Sequence, residues 1–96
     1  MLVVVSYDVS LMDEEGKSRL RRVAKVCKDY GQRVQFSVFE CMVDPAQWVR
    51  FRDKLIKEIN PEVDSLRFYF LGANWRKRIE HVGAKKGIDP EEALVV

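Results

Sequence analysis

A chain of 96 residues reads as one domain, near the lower end of the usual size range. Its 17 basic and 15 acidic residues nearly cancel to a net charge of +2, so bulk charge alone selects no partner class. Hydrophobic residues make up 47% of the chain, enough for a core and for a partner surface as well. A domain this small buries only ~60–65% of the surface its unfolded chain exposes, which makes a homo-oligomer an early expectation.

Leu2 to Tyr7 is a short β-branched run with apolar residues on both faces, Val3, Val5 and Tyr7 on one and Leu2 and Val4 on the other. Such a strand calls for burial on both sides and predicts a central position. It ends at Asp8. A helix follows from about Glu14 to Tyr30, with Asp13 as the expected N-cap and Gly31 as the expected C′ residue. Leu20, Val23, Ala24 and Cys27 fall at i, i+3, i+4 and i+7 and form its apolar stripe.

Residues 32–43 are strand-rich and contain neither Gly nor Pro, and a hairpin turning near Ser37 fits them. Asp44-Pro45 is a strong helix start, with Asp as the cap and Pro at the first helical position. The second helix is predicted from Pro45 to about Ile59, with Trp48, Phe51, Leu55 and Ile59 on its inner stripe. Residues 63–71 read as a strand in which Leu66, Phe68 and Phe70 alternate with Ser65, Arg67 and Tyr69. Arg76 to Val82 fits a short strand or a helical turn, and the tail from about 83 to 96 is expected to pair at a dimer interface.

The order β-α-β-β-α-β plus a tail predicts one α+β, ferredoxin-like domain over residues 1–96, with an extra C-terminal strand. Two helices would cover one face of the sheet. The other face, still partly apolar, predicts a homodimer packed sheet against sheet.

The first candidate for chemistry is Asp8, a carboxylate delivered to the end of a buried strand. One carboxylate is too few for a hydrolytic metal site, because a hard divalent cation takes several oxygen ligands. A twofold axis that brings two copies of Asp8 together would meet that need. Between Lys17 and Arg33 seven bases stand against the single acid Asp29, an excess suited to a polyanion. Arg33 is the base expected to reach the same end as Asp8. Tyr7, Phe36, Phe39 and Cys41 read first as packing. The two cysteines, Cys27 and Cys41, lie in apolar periodic segments and predict buried thiols in a reducing compartment. Met1 leads straight into a strand and no apolar run approaches spanning length, so a cytoplasmic protein is expected. There is no P-loop, no GxGxxG and no nucleophile elbow.

Three strings taken together are more specific: Leu2-Val-Val-Val-Ser-Tyr-Asp8-Val, the helix carrying Lys17-Ser-Arg19-Leu, and Arg33-Val-Gln-Phe-Ser37-Val-Phe39-Glu40. In order and spacing they resemble the CRISPR-associated protein 2 family. The resemblance implies a ferredoxin-like homodimer serving CRISPR adaptation in antiviral defence, bridging dimers of the CRISPR-associated protein 1 integrase and helping to hold DNA. It also implies a Mg²⁺-dependent endonuclease on RNA or double-stranded DNA, with the metal ligated by Asp8 from both subunits. Lys17, Arg19, Arg21, Arg22 and Arg33 become the nucleic-acid-binding candidates. Tyr7, Ser10, Ser37 and Phe39 become lesser substrate-handling candidates. Lys17 stands where the family commonly has Arg, keeping the charge without the bidentate geometry. Competing readings are a non-catalytic dimeric adaptor on nucleic acid and a toxin-like ribonuclease of the same fold.

Overall fold

The structure, a computed structural model, describes residues 1–84. Its elements are β1 (Leu2–Asp8), α1 (Gly16–Tyr30), β2 (Gly31–Gln35), β3 (Val38–Met42), α2 (Pro45–Glu58), β4 (Ser65–Phe70) and the single turn α3 (Trp75–Arg78). The strands form one antiparallel sheet in the order β2-β3-β1-β4, so β1 is internal as its two apolar faces require. The expected tail strand lies outside the described residues, apart from its first two positions.

One face of the sheet carries the core. Val3, Val5 and Tyr7 of β1 and Phe39 and Cys41 of β3 meet Val23, Ala24 and Cys27 of α1 and Phe51 and Leu55 of α2. Trp48, in the first turns of α2, stands edge-on to Phe51, Phe68 and Phe70 and seals the β4 side of the core. The start of α2 is fixed as expected. Asp44 accepts a hydrogen bond from the Gln47 amide at 2.7 Å, and Gln47 Oε1 accepts one from the Asp44 amide at 2.9 Å. The hairpin turns at Phe36-Ser37, with a register irregularity between Arg33 and Gln35.

Three local expectations change. Helix α1 starts at Gly16 rather than Glu14, and Asp13 does not cap it, because Arg19 and the Glu15 amide take up its carboxylate. A Cβ at position 16 would run into the Ser10 carbonyl and Leu11 Cα, so only glycine lets the β1–α1 loop close onto the helix. Gly31 is extended, with φ of −166°, rather than left-handed. Its need for glycine comes from contact instead: a Cβ there would run into the Glu40 carbonyl oxygen and lie 2.6 Å from Cys41 Sγ.

The opposite face of the sheet is set by strand parity and register. Asp8 stands opposite Ser65, Ser6 opposite Arg67, and Val4 opposite Tyr69. After α3, Ile79, Glu80 and His81 line a depression together with Val34, Gln35 and Glu40 of the β2–β3 half. The β1–β4 half keeps Asp8, Ser65, Arg67 and Tyr69 exposed.

Candidate active site

Asp8 is the last residue of β1 and is exposed. Among the described residues its carboxylate accepts no hydrogen bond and joins no ion pair, whereas the nearby acids Asp13 and Asp64 are both engaged. It lines a shallow depression of about 260 Å³ together with Ser6, Tyr7, Ser65, Leu66 and Arg67. On the exposed face the polar lining is a carboxylate, two hydroxyls and a guanidinium.

A buried polar knot holds this end of the sheet in place. The Asp64 carboxylate, with its side chain fully enclosed, accepts from Arg19 Nε, from the Ser10 amide and from the Asn60 amide, each at 2.8 Å. Arg19 also reaches Asp13, with both Nη atoms at 2.9 Å, and donates to the Ser10 carbonyl at 3.3 Å. The knot joins the β1–α1 loop, α1 and the α2–β4 loop within two residues of Asp8. Burial alone would raise the Asp64 pKa, but the bond from Arg19 and the Asn60 and Ser10 amides outweigh it and hold the carboxyl below the ordinary range. The Arg19 bond likewise lowers Asp13, and the two carboxylates push Arg19 further up.

This placement corrects the expectation for Arg19. It is 6% exposed and spends its donors on Asp64, Asp13 and the Ser10 carbonyl, inside the protein rather than at the surface. Arg33 is corrected as well. It pairs across from Phe39 and shares the helix-covered face, where its guanidinium lies 5.1 Å from the Phe39 ring centroid. Asp8, one residue after Tyr7, points to the other face. The two are therefore on opposite sides of the sheet, and Arg33 Nε is buried without a hydrogen-bond partner among the described residues.

Phe39 is fully buried in the core and packs against Tyr7, with ring centroids 6.2 Å apart. Tyr7 is buried with its hydroxyl 3.5 Å from the Phe36 carbonyl, and burial raises its pKa against the opposing pull of Arg33. Ser10 belongs to the Asp64 knot, and the Ser37 carbonyl accepts from the Tyr7 amide in the hairpin turn. Burial pushes the Cys27 thiol up to about 12 and raises Cys41 as well, so neither thiol is a nucleophile near neutral pH.

The remaining candidates on α1 are at the surface. Arg22 is tied to Glu58 at 2.7 Å and to Ser18 at 2.6 Å. Lys17 and Arg21 are exposed and, with Lys25 and Lys28, fall at i, i+4, i+8 and i+11, one cationic stripe. Among the described residues none of these four is paired with a carboxylate.

No group of three or more His, Cys, Asp or Glu side chains is placed to hold a metal ion among the described residues. A single free carboxylate flanked by hydroxyls suits a hard cation that keeps most of its waters, and it suits a shared site better than a complete one. No helix among the described residues is long and apolar enough to cross a membrane.

Residues 1–79 match the family model for the CRISPR associated protein Cas2. The chain belongs to this family. Among Cas2 relatives it is 62% identical to the CRISPR-associated endoribonuclease Cas2 of Nitratidesulfovibrio vulgaris, over 100% of this chain and 94% of that protein. It is 50% identical to the CRISPR-associated endonuclease Cas2 of Halalkalibacterium halodurans, over 99% of each. The crystal structure of Streptococcus pyogenes Cas2 at pH 6.5 superposes with a TM-score of 0.77 at 53% identity, covering 86% of this chain and all of that one.

Two residues at this Cas2 site, Asp64 and Arg67, are not among the sequence candidates. Arg19 falls at i−4 and i−8 from Val23 and Cys27, on the buried stripe, and a buried cation needs an acid, which is Asp64. That signal was present. Arg67 became visible only when the β1–β4 register put its face together with that of Asp8.

Proposed function

We propose that this Cas2 chain is a nuclease that cleaves phosphodiesters as a homodimer, with Asp8 of each protomer contributing to one metal-dependent site. The dimer is built sheet against sheet from two ferredoxin-like domains in the cytoplasm. The observation that carries this reading is the Asp8 carboxylate itself, exposed, free of any partner among the described residues, and held by a rigid knot at a strand end. The apolar and aromatic residues Val4, Met42 and Tyr69 on the same face favour a partner sheet there. The endoribonuclease and endonuclease names of the relatives support phosphodiester chemistry and leave RNA and double-stranded DNA both open as substrates.

Asp8, with the Ser6 and Ser65 hydroxyls beside it, would hold Mg²⁺ together with its counterpart in the second protomer. When bound, such an ion lowers the pKa of a coordinated water and offsets charge on a phosphate. Replacing Asp8 with Asn keeps the side chain's shape and removes its charge. Asp8→Asn is expected to abolish Mg²⁺-dependent cleavage of single-stranded RNA and of duplex DNA while leaving the dimer intact by light scattering. Full cleavage by that variant refutes the reading.

A second reading has its own observation. The stripe Lys17, Arg21, Lys25 and Lys28 is well placed to follow a phosphate backbone without any catalysis, as expected of an adaptor that bridges CRISPR-associated protein 1 integrase dimers on DNA during adaptation. Neutralising the stripe separates the two readings. The adaptor reading predicts lost duplex binding, and it predicts no cleavage by the unmodified protein with any divalent metal.

A further inference from the structure

We propose that Arg67 is the phosphate-binding residue of the Asp8 site. This deepens the nuclease reading and rests on it for the identity of the ligand. Leu66 and Phe68 turn inward to the core, which sends Arg67 to the opposite face of β4. Register then places Arg67 directly across from Ser6, and Ser65 across from Asp8. Arg67 and Asp8 are therefore diagonal neighbours on adjacent strands, a relation that sets residues about 7–8 Å apart, with their Cβ atoms somewhat closer. Both line the same depression, with Ser6 and Ser65 between them.

That spacing separates the two charges and leaves room for a tetrahedral anion between them. Among the described residues Arg67 forms no ion pair with Asp8 or with any other acid. Among the described residues its Nη1 donates to the Tyr69 hydroxyl at 3.4 Å, along the same strand. This contact steadies the guanidinium from one side and leaves Nε and Nη2 free for a ligand. A guanidinium presenting a free edge suits two oxygens of one phosphate, and a phosphodiester is the ligand whose backbone would bring its phosphate to a nearby metal-binding carboxylate.

The two expected cations with the most buried placements do not fill this place. Arg19 is enclosed in the Asp64 knot and Arg33 is on the other face. Arg67 is the cation that the described structure places in the depression with Asp8. In the dimer each Arg67 would flank the paired carboxylates on its own sheet, so the site gains one phosphate contact per protomer.

The test is made on the full-length protein carrying Asp8→Asn, so that binding is read without cleavage. A fluorescent single-stranded RNA oligonucleotide is titrated by anisotropy over a range of salt concentrations. Adding Arg67→Ala is expected to weaken binding about tenfold at low salt. It should also reduce the slope of log K against log salt by about 0.7, the value for one single-strand phosphate contact. Arg67→Lys should keep the slope and recover part of the affinity. Arg50→Ala, an equal loss of charge on the exposed side of α2, should change neither.

Unchanged affinity and slope in Arg67→Ala overturn the proposal, as does an equal loss in Arg50→Ala, which would indicate net charge alone. In the cleaving protein Arg67→Ala should raise KM well before it lowers kcat, and a fall in kcat at constant KM also counts against it. The two readings fail separately. A protein that never cleaves but loses the slope with Arg67→Ala removes the nuclease and keeps the phosphate site. One that cleaves unchanged without Arg67 does the reverse.

Discussion

Removing the Asp64 carboxylate should cost more stability than any other single change near the site. In Asp64→Ala, Arg19 loses its 2.8 Å partner, and the Ser10 and Asn60 amides lose their acceptor at the same time. Breaking a buried ion pair by deleting one side costs about 3–5 kcal/mol, and an unsatisfied buried amide about 1–3 kcal/mol. These contributions overlap, because a single carboxylate supplies all of them and Asp13 still holds Arg19. A net loss of about 3–4 kcal/mol follows, a large part of the roughly 5–15 kcal/mol that stabilises a small domain. For a chain of this size that lowers Tm by about 12–30 °C. Thermal melts by circular dichroism at fixed protein concentration would measure it, since self-association adds to apparent stability. The pH dependence gives a second check. The folded-state pKa of Asp64 is depressed, so its stabilisation is present above about pH 3.9 and fades as pH falls through the folded value. The gap between wild type and Asp64→Ala should therefore close in acid. An Ala variant that melts within about 3 °C of wild type at neutral pH refutes the account of the knot.

Two further substitutions test the scaffold. Phe51→Ala empties a fully buried position stacked on Tyr30 at 4.4 Å, and a loss of about 3–5 kcal/mol is expected in urea unfolding. Gly31→Ala should destabilise although the backbone there is extended, because the new methyl meets the Glu40 carbonyl as well as Cys41. Cys41→Ala in the Gly31→Ala background, measured as a double-mutant cycle, should recover only part of that loss, because the Glu40 carbonyl stays in place, and full recovery would argue against the backbone contact.

Much of the fold follows from local patterns that tertiary contacts never had to override. The β1 run is apolar on both faces and becomes an internal strand, and Asp44-Pro45-Ala-Gln47 spells its own cap. The hairpin falls near Ser37 even without Gly or Pro, because the alternation on either side leaves no other break. The failures are equally physical. A charge count cannot tell a surface arginine from one whose acid partner lies 45 residues away, which is why Arg19 and Arg21 read alike until Asp64 is seen. Strand parity showed that Arg67 points away from the core, but not that Asp8 shares that face. Gly31 looked like a left-handed helix stop, when its requirement is set by a neighbouring strand.

The claim that Asp8 is half of a shared metal site can be measured without any substrate. Mn²⁺ binding to the purified protein, followed by electron paramagnetic resonance, should saturate at one tightly held ion per two chains, and Asp8→Asn should lose that ion while remaining dimeric. One ion per chain, or undiminished binding in Asp8→Asn, would contradict it.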